Sequence, residues 1–233
     1  MLGVIGGMGP GATADFFSKL LAATPAVCDE DHIPLVVISD PRVPSRTEAL
    51  FHGGASPLPA LLAIRDKLVA AGATLLAMPC NTAHAWFDGL AGDSPVPFVS
   101  IVDASCAALA SIAPAGSRVG LVATRATLAA KIYDAQLDRL GYLPVLPTEQ
   151  ELAAAILPSI AAVKAGRSEA AGRMLAPAVQ AMLDRGAAAV ILACTETPMA
   201  LDAIASPLRE RCVDSTAALA VACSEQWQRR QSG

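Results

Sequence analysis

The stretches GATLLAMPC (residues 72–80) and GAAAVILAC (residues 186–194) decide how this chain folds. Each begins with a glycine, continues as a short apolar run, and ends in a cysteine that polar residues follow. A glycine in this place is typical of the end of a helix, and the apolar run is typical of a buried strand. The glycine lies eight positions before the cysteine in both stretches (80 − 72 and 194 − 186). This repetition predicts two copies of one helix–strand unit.

Short apolar runs alternate with longer helical patterns along the whole chain. The predicted strands lie in LGVIGG, PLVVISD, ATLLAMP, PFVSIV, RVGLVAT, YLPVLP, AAVILA and RCVDS. The predicted helices lie near residues 11–23, 57–71, 82–90, 103–112, 125–140, 149–164, 168–185 and 215–229. Such an alternation favours an α/β fold with parallel sheets.

The position of an earlier glycine extends the repeat over most of the chain. Gly3 lies 80 − 3 = 77 positions before the first cysteine, and Gly120 lies 194 − 120 = 74 positions before the second. A long-period duplication of this kind predicts two similar open parallel-sheet α/β domains, related by a pseudo-twofold duplication, with the active site in the cleft between them. We predict that residues 1–98 together with 209–233 form one domain and that residues 99–208 form the other.

The composition excludes several classes of function. With 54% hydrophobic and 16% charged residues among 233, the chain can bury a large core, so we expect a globular protein. The 17 Lys and Arg residues against 21 Asp and Glu, with no basic stripe, argue against a nucleic-acid partner. The longest uncharged run, residues 68–87, is interrupted by polar residues, glycine and proline and predicts no membrane span. Because no secretory signal opens the sequence, we expect a cytoplasmic protein.

The six cysteines form no CxxC pair and no metal-ligand spacing, so disulfides, structural zinc and other metal sites are disfavoured. Four of them are interpreted as ordinary small hydrophobic residues: Cys28, Cys106, Cys212 and Cys223. Cys80 and Cys194 differ, because each stands where a predicted strand ends and a helix begins. Ligands of open parallel sheets bind at this edge, and a helix N-terminus there favours a thiolate.

Two thiols that face each other across a cleft can act as an acid and a base on opposite sides of one carbon. One thiolate removes a proton while the other thiol delivers one, and the product is the mirror image of the substrate. Two other interpretations stay open, namely that both cysteines are strand-end core residues or that they form a redox pair. The absence of a CxxC motif disfavours the redox pair.

Two loops contain groups that could bind a substrate carboxylate. GGMGP, residues 6–10, follows the first predicted strand, and its glycines permit a close approach of the backbone to a ligand, although the spacing is not a dinucleotide fingerprint. DPRVPSRTEAL, residues 40–50, contains Arg42 and Arg46, and a guanidinium can bind a carboxylate through two hydrogen bonds. Lys164 stands at the end of a predicted helix, where a cation also interacts favourably with the helix dipole.

The motifs GGMGP, ATAD, VPSRT, MPCNTAH, VKAG and ACTETP, in this order and spacing, resemble the aspartate racemase branch of the aspartate/glutamate racemase family. The match spans nearly the whole chain, and PCNTAH and CTE are its most specific parts. The resemblance implies two similar α/β domains, often in a homodimer. It also implies an enzyme that racemises a small acidic amino acid by a two-base mechanism, without pyridoxal phosphate or any other cofactor.

The resemblance also implies roles for individual residues. Cys80 would take the proton from the D enantiomer and Cys194 from the L enantiomer. Arg46 and Lys164 would bind the substrate carboxylates. The other residues that the resemblance places around the substrate are Met8, Asn81, Thr82, Thr124, Thr195 and Glu196.

Four positions depart from the usual family motifs, namely Ser45 in place of Asp, Ala126 and Ala193 in place of Gly, and Leu152 in place of Gln. The last two bear on the polarity around the site, so the substrate stays open between aspartate, glutamate and a less charged amino acid. Other carbon-acid reactions of the superfamily, such as maleate isomerisation or hydantoin racemisation, are alternatives. A two-lobed small-molecule sensor without catalytic activity is an alternative of another class.

Overall fold

The computed structural model describes residues 1–231 and contains two compact units. The first unit is Met1–Ala104 together with the chain from Thr216 onward, and the second is Ser105–Ser215. Each unit contains one parallel sheet with four strands. The predicted fold class, two similar parallel-sheet α/β domains, is therefore confirmed. The predicted domain limits at residues 98 and 208 stay a prediction.

The two sheets have the same strand connectivity. The first sheet has the order β2-β1-β3-β4, with β1 Leu2–Gly6, β2 Leu35–Ser39, β3 Leu75–Ala77 and β4 Phe98–Val99. The second has the order β6-β5-β7-β8, with β5 Arg118–Ala123, β6 Leu143–Val145, β7 Ala189–Ala193 and β8 Cys212–Asp214. All neighbouring strands are parallel. Each predicted strand therefore has its counterpart in the structure.

The strand register shows the duplication residue by residue. Gly3 of β1 pairs with Leu76 of β3, and Gly120 of β5 pairs with Val190 of β7. Both partners lie four positions before a cysteine (80 − 76 and 194 − 190). An added Cβ would lie 2.7 Å from the Leu76 side chain at Gly3 and 2.9 Å from Val190 at Gly120, so both glycines are needed for close packing.

The helices of the first unit lie between its strands and after them. Its α-helices are α1 Pro10–Ala23, α2 Arg46–Phe51, α3 Leu58–Ala70, α4 Phe87–Ala91 and α5 Ile101–Ala108. Its short 3₁₀ turns are Asp29–Asp31 and Thr82–Trp86. The chain enters the second unit within α5, and the last helix, Ser215–Gln231, returns to the first unit, where Arg230 Nη1 donates a hydrogen bond to the carbonyl of Thr74.

The second unit also alternates helices with its strands. Its α-helices are α6 Arg125–Ala129, α7 Asp134–Arg139, α8 Glu149–Glu151, α9 Leu157–Lys164, α10 Ser168–Asp184 and α11 Glu196–Asp202, and the last helix of the chain is α12 Ser215–Gln231. A π-helical turn, Leu152–Ile156, joins α8 to α9, and the short 3₁₀ turns are Leu109–Ser111 and Pro207–Arg211. Within residues 1–231, no helix combines the length and the apolar composition that a bilayer crossing requires.

The predicted single helix over residues 125–140 is wrong. The structure has two short helices there, α6 and α7, because Lys131 between them has a φ of +52°, which an α-helix cannot contain. The helix α2 was not predicted, since it is short and follows a loop rich in proline and polar residues, whereas the helix expected to begin after Cys194 is present as α11. These short helices matter because Arg46 is the first residue of α2 and Cys194 lies two residues before α11.

The glycines that open the two decisive stretches end their helices in the same way. After α3, the amide of Gly72 donates to Val69 O and that of Ala73 donates to Leu68 O. After α10, Gly186 and the residue that follows it repeat this pair of bonds. Both glycines have positive φ, +95° for Gly72 and +89° for Gly186. This is the Schellman motif, so the predicted helix ends are confirmed.

Candidate active site

Cys80 lies just beyond the carboxyl end of β3 and is 5% exposed. Its amide donates a hydrogen bond to Met78 O at 2.8 Å, which makes the turn at Pro79 tight. Cys80 belongs to the apolar core of the first unit, in one cluster with Met8 and Val43. The structure therefore places the predicted Met8 and Cys80 in the same core cluster.

The two residues after Cys80 begin the 3₁₀ turn Thr82–Trp86. Asn81 is 2% exposed and precedes the turn, while Thr82 is half-buried within it. His84 of the same turn places its Nδ1 atom 2.9 Å from Cys80 O, and its Nε2 atom accepts a hydrogen bond from the Ile101 amide at 3.2 Å. Sequence reasoning assigned no role to His84, although its position four residues after Cys80 puts it one turn further along.

Cys194 occupies the equivalent place in the second unit, directly after β7, and is 7% exposed. Its Sγ donates a hydrogen bond to Glu196 Oε2 at 3.1 Å, and Thr195 Oγ1 donates to the same oxygen at 3.1 Å. Thr197 holds the Cys194 carbonyl through its amide at 3.0 Å and through its hydroxyl at 2.7 Å. The thiol, the hydroxyl of Thr195 and the carboxylate of Glu196 therefore form one buried polar group.

Lys164 extends this group toward solvent. It is the last residue of α9, as predicted for the end of a helix, and its Nζ lies 3.7 Å from Glu196 Oε1. The Lys164 side chain is half exposed, whereas that of Glu196 is buried. Three of the predicted site residues, Lys164, Glu196 and Cys194, are therefore connected in a row from the surface to the thiol.

The expected thiolate at Cys194 is corrected by the structure. Burial, and after it the neighbouring Glu196 carboxylate, raises the pKa of the Cys194 thiol well above its ordinary value. The helix that follows, α11, is short, and the Glu196 carboxylate in its first turn offsets the positive end of the helix dipole. Cys194 is therefore a hydrogen-bonded thiol with a proton acceptor in contact.

The GGMGP loop is shaped by contacts within the chain. Gly7 has a φ of +94°, and an added Cβ would lie 2.4 Å from the backbone of Asp40. An added Cβ at Gly6 would lie 2.5 Å from the side chain of Thr13, whose hydroxyl accepts a hydrogen bond from the Gly7 amide at 2.9 Å. These glycines are therefore explained by the packing of β1 against α1 and the end of β2, without a ligand.

The two arginines of the loop after β2 are held differently. Arg42 is exposed and pairs with Asp40 through both Nε and Nη2, and the pKa of Asp40 falls to about 2 because of this pairing. Arg46 is half-buried at the start of α2, and its Nη1 donates to the carbonyls of Val43 and Pro44. The loop therefore fixes the Arg46 guanidinium through one nitrogen, while Arg42 is already engaged by a carboxylate.

The structure explains one of the departures from the family motifs and locates the other three. Ser45 is the N-cap of α2 and its Oγ accepts a hydrogen bond from the Glu48 amide, a task that serine and aspartate perform about equally well. Ala126 is buried inside α6, next to Thr124, which caps that helix by accepting from the Thr127 amide. Ala193 is the last residue of β7, and Leu152 lies in the same core cluster as Cys194.

Two units with the same sheet topology, each with a buried cysteine at the end of its third strand, define a duplicated α/β protein. The profile of the Asp/Glu/Hydantoin racemase family matches residues 5–223, and the chain belongs to that family. The resemblance to its aspartate racemase branch, predicted from the motifs, is confirmed.

Three known proteins illustrate the similarity. The structure of the aspartate racemase of Picrophilus torridus is 32% identical, with 97% of this chain and 93% of that chain covered at a TM-score of 0.83. An aspartate racemase homologue from Pyrococcus horikoshii, 24% identical with 97% and 98% covered at a TM-score of 0.74, shares the fold. The broad specificity amino-acid racemase RacX of Bacillus subtilis is 26% identical over 224 residues, which are 94% of this chain and 95% of RacX.

Proposed function

We propose that this protein is a cofactor-independent racemase of an acidic amino acid, with aspartate as the first choice of substrate. Cys80 and Cys194 act as acid and base on opposite faces of the substrate Cα. The observation that carries this proposal is the equivalent placement of two buried cysteines at the ends of β3 and β7 in duplicated sheets. Family membership and the similarity to the Picrophilus torridus aspartate racemase support it.

The proposed reaction moves one proton off Cα and another onto it. In the D-to-L direction the Cys80 thiolate removes the Cα proton, the electron pair delocalises into the α-carboxylate, and the Cys194 thiol delivers its proton to the opposite face. Cys80 ends as a thiol and Cys194 as a thiolate. The raised pKa of Cys194 suits this direction, because the thiol that must donate is already protonated.

In the L-to-D direction Cys194 must first lose its proton, and Glu196 is the proposed acceptor. Its Oε2 already accepts the hydrogen bond from Sγ at 3.1 Å, so the proton moves along an existing bond. The carboxylate becomes a carboxylic acid and the thiol becomes a thiolate, which leaves the total charge of the pair unchanged. Cys80 enters this direction as a thiol: the Cys194 thiolate removes the Cα proton of the L enantiomer, and Cys80 delivers its proton to the opposite face and ends as a thiolate. The positive charge of Lys164, whose Nζ lies 3.7 Å from Oε1, partly offsets the negative charge that Cys194 and Glu196 share in both states.

The negative charge that develops on the substrate must be stabilised by hydrogen-bond donors. We propose that Asn81, Thr82, Thr124 and Thr195 donate to the α-carboxylate, with Met8 as an apolar wall. Arg46 and Lys164 bind the two carboxylates of the acidic substrate. We further propose that the enzyme acts in the cytoplasm as a homodimer and needs no pyridoxal phosphate, because the two thiols supply the acid and the base themselves.

A racemase of broad specificity is the second candidate function. The Bacillus subtilis relative that covers 94% of this chain is named a broad specificity amino-acid racemase. Leu152, where the family motif usually has glutamine, is buried in the core cluster that contains Cys194, which makes this side of the cluster apolar. The apolar residue at this position favours a substrate less charged than glutamate.

The test is Cα exchange in deuterated water, followed by NMR and chiral chromatography for each enantiomer of aspartate, glutamate, alanine and methionine. The wild-type enzyme is expected to introduce deuterium and invert the substrate together, fastest with aspartate. Cys80→Ser and Cys194→Ser should each lose racemisation by about 10²–10⁴-fold, the usual contribution of an acid/base group. Cys194→Ser should still exchange the Cα hydrogen of D-aspartate without inversion, and Cys80→Ser that of L-aspartate.

Cys106→Ser and Cys223→Ser, which change buried cysteines outside the proposed site, serve as controls and should racemise normally. Fastest exchange with alanine or methionine would support the broad-specificity alternative. Wild-type racemisation by Cys80→Ser or by Cys194→Ser would rule out the two-base mechanism. Binding of aspartate without any Cα exchange in the wild-type protein would favour a sensor instead.

A further inference from the structure

His84 is a buried histidine outside the set of proposed acid/base and substrate-binding residues. It is 7% exposed, and both nitrogens of its ring have backbone partners. The Ile101 amide donates to Nε2, so Nε2 must present a lone pair. The ring proton is therefore on Nδ1, which donates to Cys80 O.

This arrangement fixes a neutral imidazole. A second proton on Nε2 would point at the Ile101 amide hydrogen, and burial lowers the pKa of His84 to about 4. Since neither nitrogen is available to a substrate proton, His84 is unsuited to act as a general base. His84 instead bridges two backbone groups, the Cys80 carbonyl and the Ile101 amide, through its two ring nitrogens.

Aromatic contacts hold the plane of the imidazole. Phe87 stacks on the His84 ring with 4.9 Å between ring centroids and an interplanar angle of 8°. Phe98 of β4 packs edge-on against Phe87, with 5.7 Å between centroids. The ring therefore has little freedom to turn, and the carbonyl of Cys80 is held in one place relative to β4 and the first residue of α5.

We propose that His84 is a positioning residue for Cys80, which holds the thiol-bearing residue through its carbonyl and ties it to the start of α5. This inference rests on the acid/base role proposed for Cys80. A second observation points the same way: Cys194, in the other unit, also has its carbonyl held by a side chain from the following turn, the hydroxyl of Thr197. A fixed carbonyl fixes the peptide plane after the cysteine and with it the direction of the thiol, and an error of about 1 Å at a reacting group can cost 10²-fold in rate.

Two substitutions test the two hydrogen bonds of His84 separately. In His84→Asn the side-chain amide can take the place of Nδ1 and keep the bond to Cys80 O. In His84→Gln the amide oxygen can take the place of Nε2 and keep the bond from the Ile101 amide. His52→Gln changes an exposed histidine at the end of α2 and is the matched control.

The readout is deuterium exchange at one face of Cα. In the Cys194→Ser background, Cys80 is the only acid/base cysteine that remains. There, His84→Gln should slow exchange of D-aspartate by about tenfold or more, whereas His84→Asn should change the exchange rate by no more than about threefold. In the Cys80→Ser background, exchange of L-aspartate by Cys194 should be unchanged by either substitution. A residue that only stabilises the fold would lower both activities together. Equal loss of D-aspartate exchange in His84→Asn and His84→Gln, or loss at both faces, would overturn the proposal.

A second measurement does not depend on racemisation. Alkylation of each cysteine by iodoacetamide, followed by peptide mass spectrometry, should show Cys80 reacting several-fold faster in His84→Gln than in His84→Asn, with Cys194 unchanged. If this difference appears in a protein that fails to racemise any amino acid, the positioning role stands and the proposed function fails. Wild-type alkylation of Cys80 in both variants would remove the positioning role itself.

Discussion

The loops that follow β3 and β7 place their cysteines alike and surround them differently. Cys80 and Cys194 both lie directly beyond a buried strand, and both have their carbonyl held by the following turn. The residue two positions after the cysteine is Thr82 in the first unit and Glu196 in the second. In the second loop, the Glu196 carboxylate accepts a hydrogen bond from the thiol.

This difference shows which part of a duplicated unit is shared and which part is specialised. The strand register and the Schellman glycines are common to both units, because they come from backbone geometry. The residue two positions after the cysteine is not common, and in the second unit it is the carboxylate that helps to raise the pKa of the Cys194 thiol. A neutral histidine holds the Cys80 carbonyl, while an ionisable side chain accepts a hydrogen bond from the Cys194 thiol.

Glu196→Gln tests this difference with the largest expected effect. Removal of the carboxylate takes away the proposed proton acceptor, so racemisation should fall by about 10²-fold. Because the two enantiomers have equal free energy, kcat/KM must fall equally in both directions. The distinction appears in single-face exchange, where L-aspartate exchange in the Cys80→Ser background should be lost and D-aspartate exchange in the Cys194→Ser background should be kept.

The same substitution should make the Cys194 thiol more acidic while it makes the enzyme slower. Glu196 raises the pKa of Cys194 through its charge and through the hydrogen bond that it accepts, so Gln should move the rise of Cys194 alkylation with pH to lower pH. Glu149→Gln, an exposed carboxylate paired with Arg125, is the control and should move neither activity nor alkylation. An alkylation profile that moves to higher pH would contradict the assignment of Glu196.

Different groups hold the two cations that we propose to bind the substrate carboxylates. Backbone carbonyls hold Arg46, whereas a buried carboxylate holds Lys164. Arg46→Ala and Lys164→Ala should each raise the KM for aspartate by about tenfold or more, since a lost charge-assisted hydrogen bond costs about 1.5–3 kcal/mol. Steady-state kinetics on both enantiomers, with Arg42→Ala as the control, measure this change.

Only Lys164→Ala should also affect a thiol. Lys164 lowers the pKa of Cys194, so its removal should move the alkylation of Cys194 to higher pH, opposite to the effect of Glu196→Gln. Arg46→Ala should leave that profile in place. If Arg42→Ala weakened aspartate binding and Arg46→Ala did not, Arg42 rather than Arg46 would be the residue that binds the substrate carboxylate.

Much of the fold and part of the site could be predicted from the sequence. The strands follow from apolar runs, and Gly72 and Gly186 mark the helix ends because no other residue adopts their φ easily. The contact between Cys194 and Glu196 was not predicted, because residues that are close in the sequence need not have side chains that point toward each other. The acidity of Cys194 was predicted with the wrong sign for the same reason: the helix dipole can be inferred from sequence, whereas burial and the direction of a carboxylate depend on packing.

The role of His84 and the break at Lys131 also required the structure. The two partners of His84, Cys80 O and the Ile101 amide, are backbone groups, and no pattern of side chains marks them. Lys131 has a positive φ that its residue type disfavours, so the sequence indicated a continuous helix where the chain turns.

The smallest effects are expected from the glycines that the two units share. Gly72 and Gly186 have φ of +95° and +89°, and an added Cβ would meet nothing within 4 Å at Gly72 and Arg118 Nη1 at 3.7 Å at Gly186. Alanine at either site therefore costs backbone strain alone, about 1–2 kcal/mol of unfolding free energy. Because the two Schellman motifs are the same, the two losses should agree to within about 0.5 kcal/mol, the margin within which the effects of distant substitutions usually add.

Urea denaturation of Gly72→Ala and Gly186→Ala, followed by circular dichroism, measures these losses. Gly11→Ala is the control, because Gly11 lies in α1 with nothing within 4 Å of the added methyl group and should not destabilise the protein. If the units unfold separately, each variant should shift a different transition, since Gly72 and Gly186 belong to different units. Both variants should racemise normally below their transitions, because the glycines end the helices before β3 and β7 and do not touch a thiol. An unchanged midpoint in one variant and a shifted one in the other would show that the two units, alike in backbone, do not depend equally on the geometry they share.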